Sequence, residues 1–340
     1  MIFIIDAVID FSTSFDSKVR ALDNILSAHG EGKHVLWAPI EVVEALQDVP
    51  QLSSYSKRVL FSLKSTVIET RRIERQFDFH VVVEFDDGAR MELGEGRLNV
   101  GFNYFLDTRM LQPSILITEN LLDASALECG AALHLVGNKL LSAFGVVLDF
   151  RPGGGSTTYD LFKDLVSQGR FLLCVIDSDL KHPKGPKGST AKRFRHEKLG
   201  LNLAYHLEIL GCHEIENILP VNVVRDLVPR AQTPCLLYSS SKYHRYRPYP
   251  DHKFGLRVST ARQSDLEFNS DYWSEFNGCD DEVWICAPLG ESLLQNSVQK
   301  MKEMSPHKLY ESLNKTADEE WMRVSKLVAS WGVGVRRVIP

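Results

Sequence analysis

Asp177 and Asp179 stand one residue apart where the apolar run 171–176, FLLCVI, ends. Side chains at i and i+2 of an extended backbone point the same way, so the two carboxylates make a hard-oxygen site suited to Mg²⁺ or Mn²⁺. An apolar run of this length, with β-branched members and no polar face, reads as a fully buried strand. In open α/β sheets the carboxyl ends of such strands are where ligands bind. An acidic loop that merely closes a strand is the plain alternative. Related chemistry recurs along the chain: Glu119 follows SILIT, a Gly153-Gly154-Gly155-Ser156 turn follows the next apolar run, and HEIENILP (213–220) carries Glu214, Glu216 and Asn217.

The elements that must hold these residues follow from the hydrophobic pattern. From Pro113 onward strand-like and helix-like segments alternate: a strand at 114–118, a helix at 121–136, a strand at 145–150, a helix at 158–168 and the strand at 171–176. That order implies a parallel sheet with right-handed crossovers, and a further helix is expected at 199–211. Ahead of it, 1–11 and 34–39 read as strands, 17–29 and 41–47 as helices, and 53–77 as a helical stretch with a basic face. HVVVEFD (80–86), Asp87-Gly88 and RMEL read as a β-hairpin, because Asp-Gly supplies the positive φ values of a tight turn. Residues 233–257 are aromatic and basic, and helices at 290–304, 306–315 and 318–331 complete the pattern. The fold class is therefore α/β. A catalytic domain at 112–222 with a parallel sheet flanked by helices is expected between a mixed α/β N-terminal domain (1–111, recognition or partner docking) and a basic, aromatic loop with a helical C-terminal region (223–340).

Composition narrows the class. The chain has 340 residues, 44% hydrophobic and 24% charged, with a formal net charge of −5, ordinary values for a globular protein of two or three domains. No apolar run reaches the ~18 residues that span a bilayer, and MIFIIDAVIDF, broken by Asp6 and without a basic n-region, reads as a strand and not a signal peptide. The six cysteines include no C-x-x-C pair, so neither a zinc framework nor a disulfide scaffold is expected and a reducing cytoplasm fits best. Positive charge is concentrated in one place, Lys181, Lys184, Lys187, Lys192, Arg193, Arg195 and Lys198, directly after the paired aspartates. Such a segment suits a phosphate backbone, with a solvated loop as the alternative; tyrosines at 238–249 are suited to stacking on unpaired bases.

Glu119, the Gly/Ser turn, the D-x-D of Asp177 and Asp179, and the later E-x-E-N form an ordered series over about residues 112–222. The series resembles the TOPRIM domain of topoisomerases, primases and several nuclease families, and the IEN segment is similar to the glutamate motif of overcoming-lysogenisation-defect type nucleases and related anti-phage TOPRIM proteins. The resemblance implies that Glu119, Asp177 and Asp179 hold one or two Mg²⁺ (or Mn²⁺) ions, with Glu216 as a further ligand. Many such domains follow the first glutamate with glycine, where this chain has Asn120. Two ions held ~3.5–4 Å apart suit in-line displacement at a phosphodiester. The expectation is a metal-dependent endonuclease acting on DNA or RNA, with Lys181, Lys184, Lys187, Lys192, Arg193 and Arg195 on the nucleic acid. TOPRIM nucleases of this type are often paired with an ATPase in anti-phage defence; the chain has no G-x-x-x-x-G-K-[ST] of its own, so a separate ATPase subunit is the expected partner, with a homo-oligomer a further option.

Several readings stay open. Lys253, in DHKFG, is the candidate that neutralises transition-state charge, against an exposed hairpin lysine. Asp123 is either an acid supporting the site or a helix-start charge favoured by the dipole. The Gly153–Ser156 turn either touches phosphate or only turns a corner. His213 and His252 read as ordinary histidines, since oxygen ligands already suit Mg²⁺. A D-x-D glycosyltransferase explains VIDSD but not Glu119, and a nucleic-acid-binding effector silent without its partner is the non-enzymatic alternative. Asp6 with Glu41 or Glu44 bears a faint likeness to PIN-type ribonucleases.

Overall fold

A computed structural model describes residues 1–228 and 236–336. The first sheet gathers β1 (Ile2–Ile4), β2 (Val35–Trp37), β3 (His80–Glu84), β4 (Glu92–Gly94) and β5 (Arg97–Gly101) in the order β2-β1-β3-β5-β4. All its neighbours are parallel except β4 against β5. α1 (Phe15–Gly30), α2 (Ile40–Gln47) and α3 (Ser54–Thr66) cover it. The hairpin expected at Asp87-Gly88 is not formed. β3 lies inside the sheet between β1 and β5, because Val81 and Val83 are buried and need a partner on both sides. The antiparallel pair is β4 with β5, turning through Gly96 at φ 63°.

The second sheet has the order β10-β11-β9-β6-β8. It is built from β6 (Ser114–Thr118), β8 (Leu148–Pro152), β9 (Leu172–Ile176), β10 (Gly200–Leu201) and β11 (Tyr205–Ile209), while the short β7 (Phe144–Val146) precedes β8 outside it. β8, β6, β9 and β11 run parallel and only β10 is antiparallel. α4 (Leu121–Gly137) and α5 (Thr158–Ser167) make the crossovers, and α6 (Ser189–Arg193) follows β9. The strands alternate between two cores: Ile115, Ile117, Cys174 and Ile176 pack with Phe162, Leu165 and Phe194 on the α5 side, whereas Leu116, Leu173 and Val175 join the main core with α4. Both faces are covered, so the strands read as continuous apolar runs.

The helix expected at 199–211 is instead the β10–β11 hairpin. Tyr205, Leu207 and Ile209 pack toward the α5 core while His206 and Glu208 alternate with them. That period of two belongs to a strand, and five rungs of pairing with β9 outweigh the helix-like spacing of leucines.

The remainder folds back on this sheet: α7 (Val221–Leu227), α8 (Leu236–Ser239), β12 (Leu256–Arg257), α9 (Val258–Glu267), β13 (Trp284–Cys286), α10 (Leu293–Glu303), α11 (Pro306–Glu311), α12 (Glu319–Gly332) and β14 (Val333–Val335). β14 pairs antiparallel with β7, and the Met1 nitrogen donates to Val333 O at 2.7 Å. α12 lies close along α4, where Gly130 admits Ser325 and Trp321; a Cβ there would stand 3.1 Å from the Trp321 ring and closer still to the Ser325 hydroxyl. No helix among the described residues is long and apolar enough to cross a membrane.

This close approach is testable. Gly130→Val forces α4 and α12 apart and is expected to lower unfolding stability by about 1–3 kcal/mol, read as a lower urea midpoint at unchanged m-value, whereas Gly145→Ala, with open space around its Cβ, leaves the midpoint within about 0.5 kcal/mol.

Candidate metal centre

The strand order places the site. The chain passes from β6 to β8 on one side and then to β9 on the other, so β6 and β9 flank the point where the order reverses. At such a switch point the carboxyl ends of neighbouring strands open a crevice. Glu119 leaves β6 there and Asp177 leaves β9 beside it.

Local chemistry fixes each carboxylate. Asn120 caps α4: its Oδ1 accepts from Leu122 N at 2.8 Å and Asp123 N at 3.1 Å, and Asp123 Oδ2 accepts from Asn120 N at 3.0 Å. This capping box satisfies orphan amides and holds the start of α4 against the strand end. The glycine turn braces the same strand end, with Gly153 N donating to Thr118 O (2.8 Å) and Gly154 N to Glu119 O (3.0 Å). Gly154 and Gly155 adopt φ 72° and 65°, where a glycine is favoured.

Asp179 has φ 55°, uncommon for a residue with a Cβ. It is held there by Asp179 N donating to His213 O at 2.9 Å, by the buried Ser178 hydroxyl donating to Cys212 O, and by Gly188 N donating to Ser178 O at 2.8 Å. Any Cβ on Gly188 would collide with the Asp179 carboxylate. The last residue of the D-x-D is thus locked by the chain on both sides of it.

The charges of Asp179, Asp123 and Glu214 act on Glu119, and those of Asp123, Glu119, Glu216 and Glu214 act on Asp177, while among the described residues the group whose ligand atoms all lie within 4.8 Å of one another is His213, Glu214 and Asp251. Burial, then the charges of Asp179, Asp123 and Glu214, push the Glu119 carboxyl up to about 7 against a backbone amide of Asp177. Burial, with Asp123, Glu119, Glu216 and Glu214 around it, holds Asp177 well above the usual carboxylate range. Asp123 is pushed up to about 6, again chiefly by burial, so it serves as cap and as neighbour of the acids at once. Glu216, 3% exposed, is raised by burial and by Glu214, with Lys253 opposing. Glu119 Oε1 is buried with no hydrogen-bond partner.

Lys253 is no exposed hairpin lysine. Its ammonium lies 2.8 Å from Glu214 Oε2 and 3.2 Å from Glu216 Oε1; burial works against its charge, but the two glutamates outweigh that and leave its pKa raised. The unpartnered Glu119 Oε1 is a buried oxygen that a proton or a cation would satisfy. The donor set is all oxygen, which fits Mg²⁺ or Mn²⁺.

The basic segment is partly tied down. Arg193 donates to Asp160 at 2.8 Å and to Ser156 O and lies over the Tyr159 ring. Lys184 donates to Asn269 O at 2.8 Å, and Arg195 to His196 Nε2 at 2.9 Å. His182, buried, bonds Asp265 at 3.0 Å and stacks on Phe268. Lys181 reaches Asp251 at 3.6 Å, while Lys187 and Lys192 are exposed with no ion pair among the described residues. The tyrosines expected to stack on bases are largely structural: Tyr238 and Tyr246 are buried, Tyr243 stacks on Phe276, and Tyr249 meets Tyr272 edge-on. Arg245 and Lys242 both pair with Glu275.

Sequence reasoning did not single out Glu214 as Lys253's partner, nor Asp251. The signal available was the DHK triplet, three polar residues that the structure finds partly or wholly buried. No family model matches the chain, and no curated protein or solved structure matches it significantly.

The raised carboxyls have a thermodynamic consequence. Without divalent cations, folded Glu119 and Asp123 keep protons that the unfolded chain releases above pH ~4–4.5. These two carboxyls then bind more protons in the folded state between there and about pH 7, so their contribution to stability falls as pH rises through that window. His29, His34 and His252, held neutral by burial, contribute in the opposite direction, so the carboxyl contribution is read as a difference: in chelator the melting temperature of the wild type relative to Glu119→Gln is expected to fall from about pH 5 to about pH 7, with Mg²⁺ removing the fall; a difference that climbs over this range contradicts the burial of Glu119.

Proposed function

We propose that the chain is a Mg²⁺-dependent endonuclease of TOPRIM type, hydrolysing phosphodiester bonds of DNA or RNA. The observation that carries this reading is that Glu119, from the end of β6, takes a backbone hydrogen bond from Asp177 and feels the charge of Asp179, both from the end of the adjacent β9, at the switch point of a parallel sheet. Glu119, Asp177, Asp179 and Glu216 would hold the cation, which when bound activates water and stabilises the departing oxyanion. Lys253, held by Glu214 and Glu216, places one fixed positive charge beside the acids and is suited to a phosphoryl oxygen that gains charge in the transition state. The capping box at Asn120 and the locked φ of Asp179 keep the carboxylates in position against their own repulsion, so little reorganisation is needed when substrate arrives. Lys181, Lys187, Lys192 and Arg195 stand exposed on the segment that leaves Asp179 and supply a screened attraction for a phosphate backbone. We read the protein as an effector of a prokaryotic anti-phage system that works with a separate ATPase subunit in the cytoplasm.

Incubation of the chain, alone and with its ATPase partner, with plasmid DNA and with single-stranded RNA tests this. Cleavage is expected to need Mg²⁺ and to fall more than ~100-fold in Asp177→Asn and Glu119→Gln. Lys253→Met should cost ~10²–10³ in kcat with a small change in KM. Cleavage that persists undiminished in both acid variants sinks the assignment.

A further inference from the structure

A second cluster adjoins the carboxylates and has a different donor set. His213 is 3% exposed, yet neither of its ring nitrogens has a hydrogen-bond partner. Burying an imidazole this way forfeits hydrogen bonds to water, about 1–3 kcal/mol for each unpaired group, and such groups are rare in folded proteins. The ring faces acids: Nε2 stands 3.6 Å from Asp251 Oδ2, and one ligand atom each from His213, Glu214 and Asp251 lie within 4.8 Å of one another. A separation of 3.6 Å is too long for a hydrogen bond. It does match two ligands of one ion, since bonds of ~2.0–2.1 Å at a tetrahedral angle put the ligand atoms roughly 3.4 Å apart.

The backbone orients the three donors. His213 N donates to Pro248 O at 2.7 Å and its carbonyl accepts from Asp179 N, so the ring is carried on a strap fastened at both ends. Asp251 Oδ1 accepts from Lys253 N at 2.9 Å and Phe254 N at 3.0 Å, which leaves Oδ2 turned toward the imidazole. Glu214 N is held by Asn217 Oδ1 at 2.9 Å. Among the described residues the ammonium partners of the two carboxylates are Lys253, which reaches Glu214 Oε2, and the largely exposed Lys181, which reaches Asp251 Oδ2.

We propose that His213, Glu214 and Asp251 form a binding site for a transition-metal dication of the zinc type, adjoining but distinct from the all-oxygen centre of Glu119, Asp177 and Asp179. Imidazole with two carboxylates suits Zn²⁺ or Co²⁺ and is a poor set for Mg²⁺, which prefers oxygen and retains its water. Three protein ligands leave a coordination position open to water or to an anionic oxygen. Because the His213 carbonyl holds the Asp179 amide, an ion on the ring stiffens the strap that fixes the D-x-D. The site stands on its own residues and does not depend on the nuclease reading.

Titration of the full chain with Zn²⁺ in excess Mg²⁺ tests the site, the Mg²⁺ occupying the oxygen centre. One equivalent of Zn²⁺ is expected to bind the wild type and Asp177→Asn alike, and to bind His213→Gln and Asp251→Asn at least ~100-fold more weakly. Lys181→Met, which removes a competing exposed ammonium, should tighten binding by up to about fivefold. X-ray absorption of the zinc-loaded wild type reads the ligand directly and needs no variant to fold: imidazole scattering in the first shell supports the site, and an oxygen-only shell overturns it. Wild-type zinc affinity in His213→Gln, or equal loss in Asp177→Asn and His213→Gln, also overturns it. Mg²⁺-dependent cleavage by zinc-free protein bears on the nuclease reading alone, so the two fail separately.

Discussion

Mutual repulsion among Glu119, Asp123, Asp177, Asp179, Glu214 and Glu216 is the constraint around which this chain is arranged. Burial and the charges of neighbouring acids together raise the Glu119 and Asp177 carboxyls, so ionising the group without a cation is costly. An ordinary fold relieves such strain by turning side chains to solvent or pairing each with a cation. Here the acids are held by elements that cannot turn: a capping box at the head of α4, the end of a strand with neighbours on both sides, and a left-handed residue locked between two backbone bonds. The backbone strain at Asp179 and the buried acids are both held by this surrounding structure.

The means of holding it comes from the part of the chain most distant in sequence. Asn217, buried, donates to Arg247 O (2.7 Å) and Pro250 O (2.8 Å) and meets His252 Nδ1 at 3.1 Å. His252, kept neutral by burial with its pKa down to about 3, reaches the Tyr238 hydroxyl at 2.7 Å. Arg247 in turn donates to Leu219 O and to Ala317 O (3.0 Å), and sits 3.6 Å from Asp318. Asp318 accepts from Val221 N and Asn314 N, both at 2.8 Å, so the network closes on the start of α7 and on the helices before β14. In a low-dielectric interior a satisfied polar network rigidifies its members. Its product is the placement of the 251–253 triplet, and with it Asp251 and Lys253, against the E-x-E turn.

What the sequence disclosed follows the range over which each cause acts. Buried strands that end in acids announce themselves locally, so β6 and β9, with Glu119, Asp177 and Asp179 at their ends, were readable from apolar runs alone. Asn120 carried its reason in the next three residues, the cap that Asp123 completes. β11 was hidden because the leucines of 199–211 also fit a helical period and its pairing with β9 decides between them. β3 drew a false hairpin because Asp87-Gly88 is a strong local signal, overruled by two parallel neighbours. Tyrosines at 238–249 looked like a surface for bases, since aromatic rings among basic residues give the same composition whether they face solvent or a core. Lys253 and Glu214 lie 39 residues apart in the chain, and no local pattern joins them.

The strap at 211–217 is where these strands of argument meet. Cys212 O takes the Ser178 hydroxyl, His213 O takes the Asp179 amide, Glu214 takes the Lys253 ammonium and Asn217 takes the carbonyls of the 247–250 loop. A displacement of this one segment would therefore alter the backbone of the D-x-D, the position of the cation beside the acids and the His213 ring together. The 242–248 segment reaches the strap through Pro248 O and Arg247 O, a short mechanical route to the carboxylates. The 181–195 segment has a second, through the Lys181 and Asp251 pair. Both routes converge on Asp251 and His213 and neither requires the sheet to move, because the strands that carry Glu119 and Asp177 are fixed on both faces by packed cores.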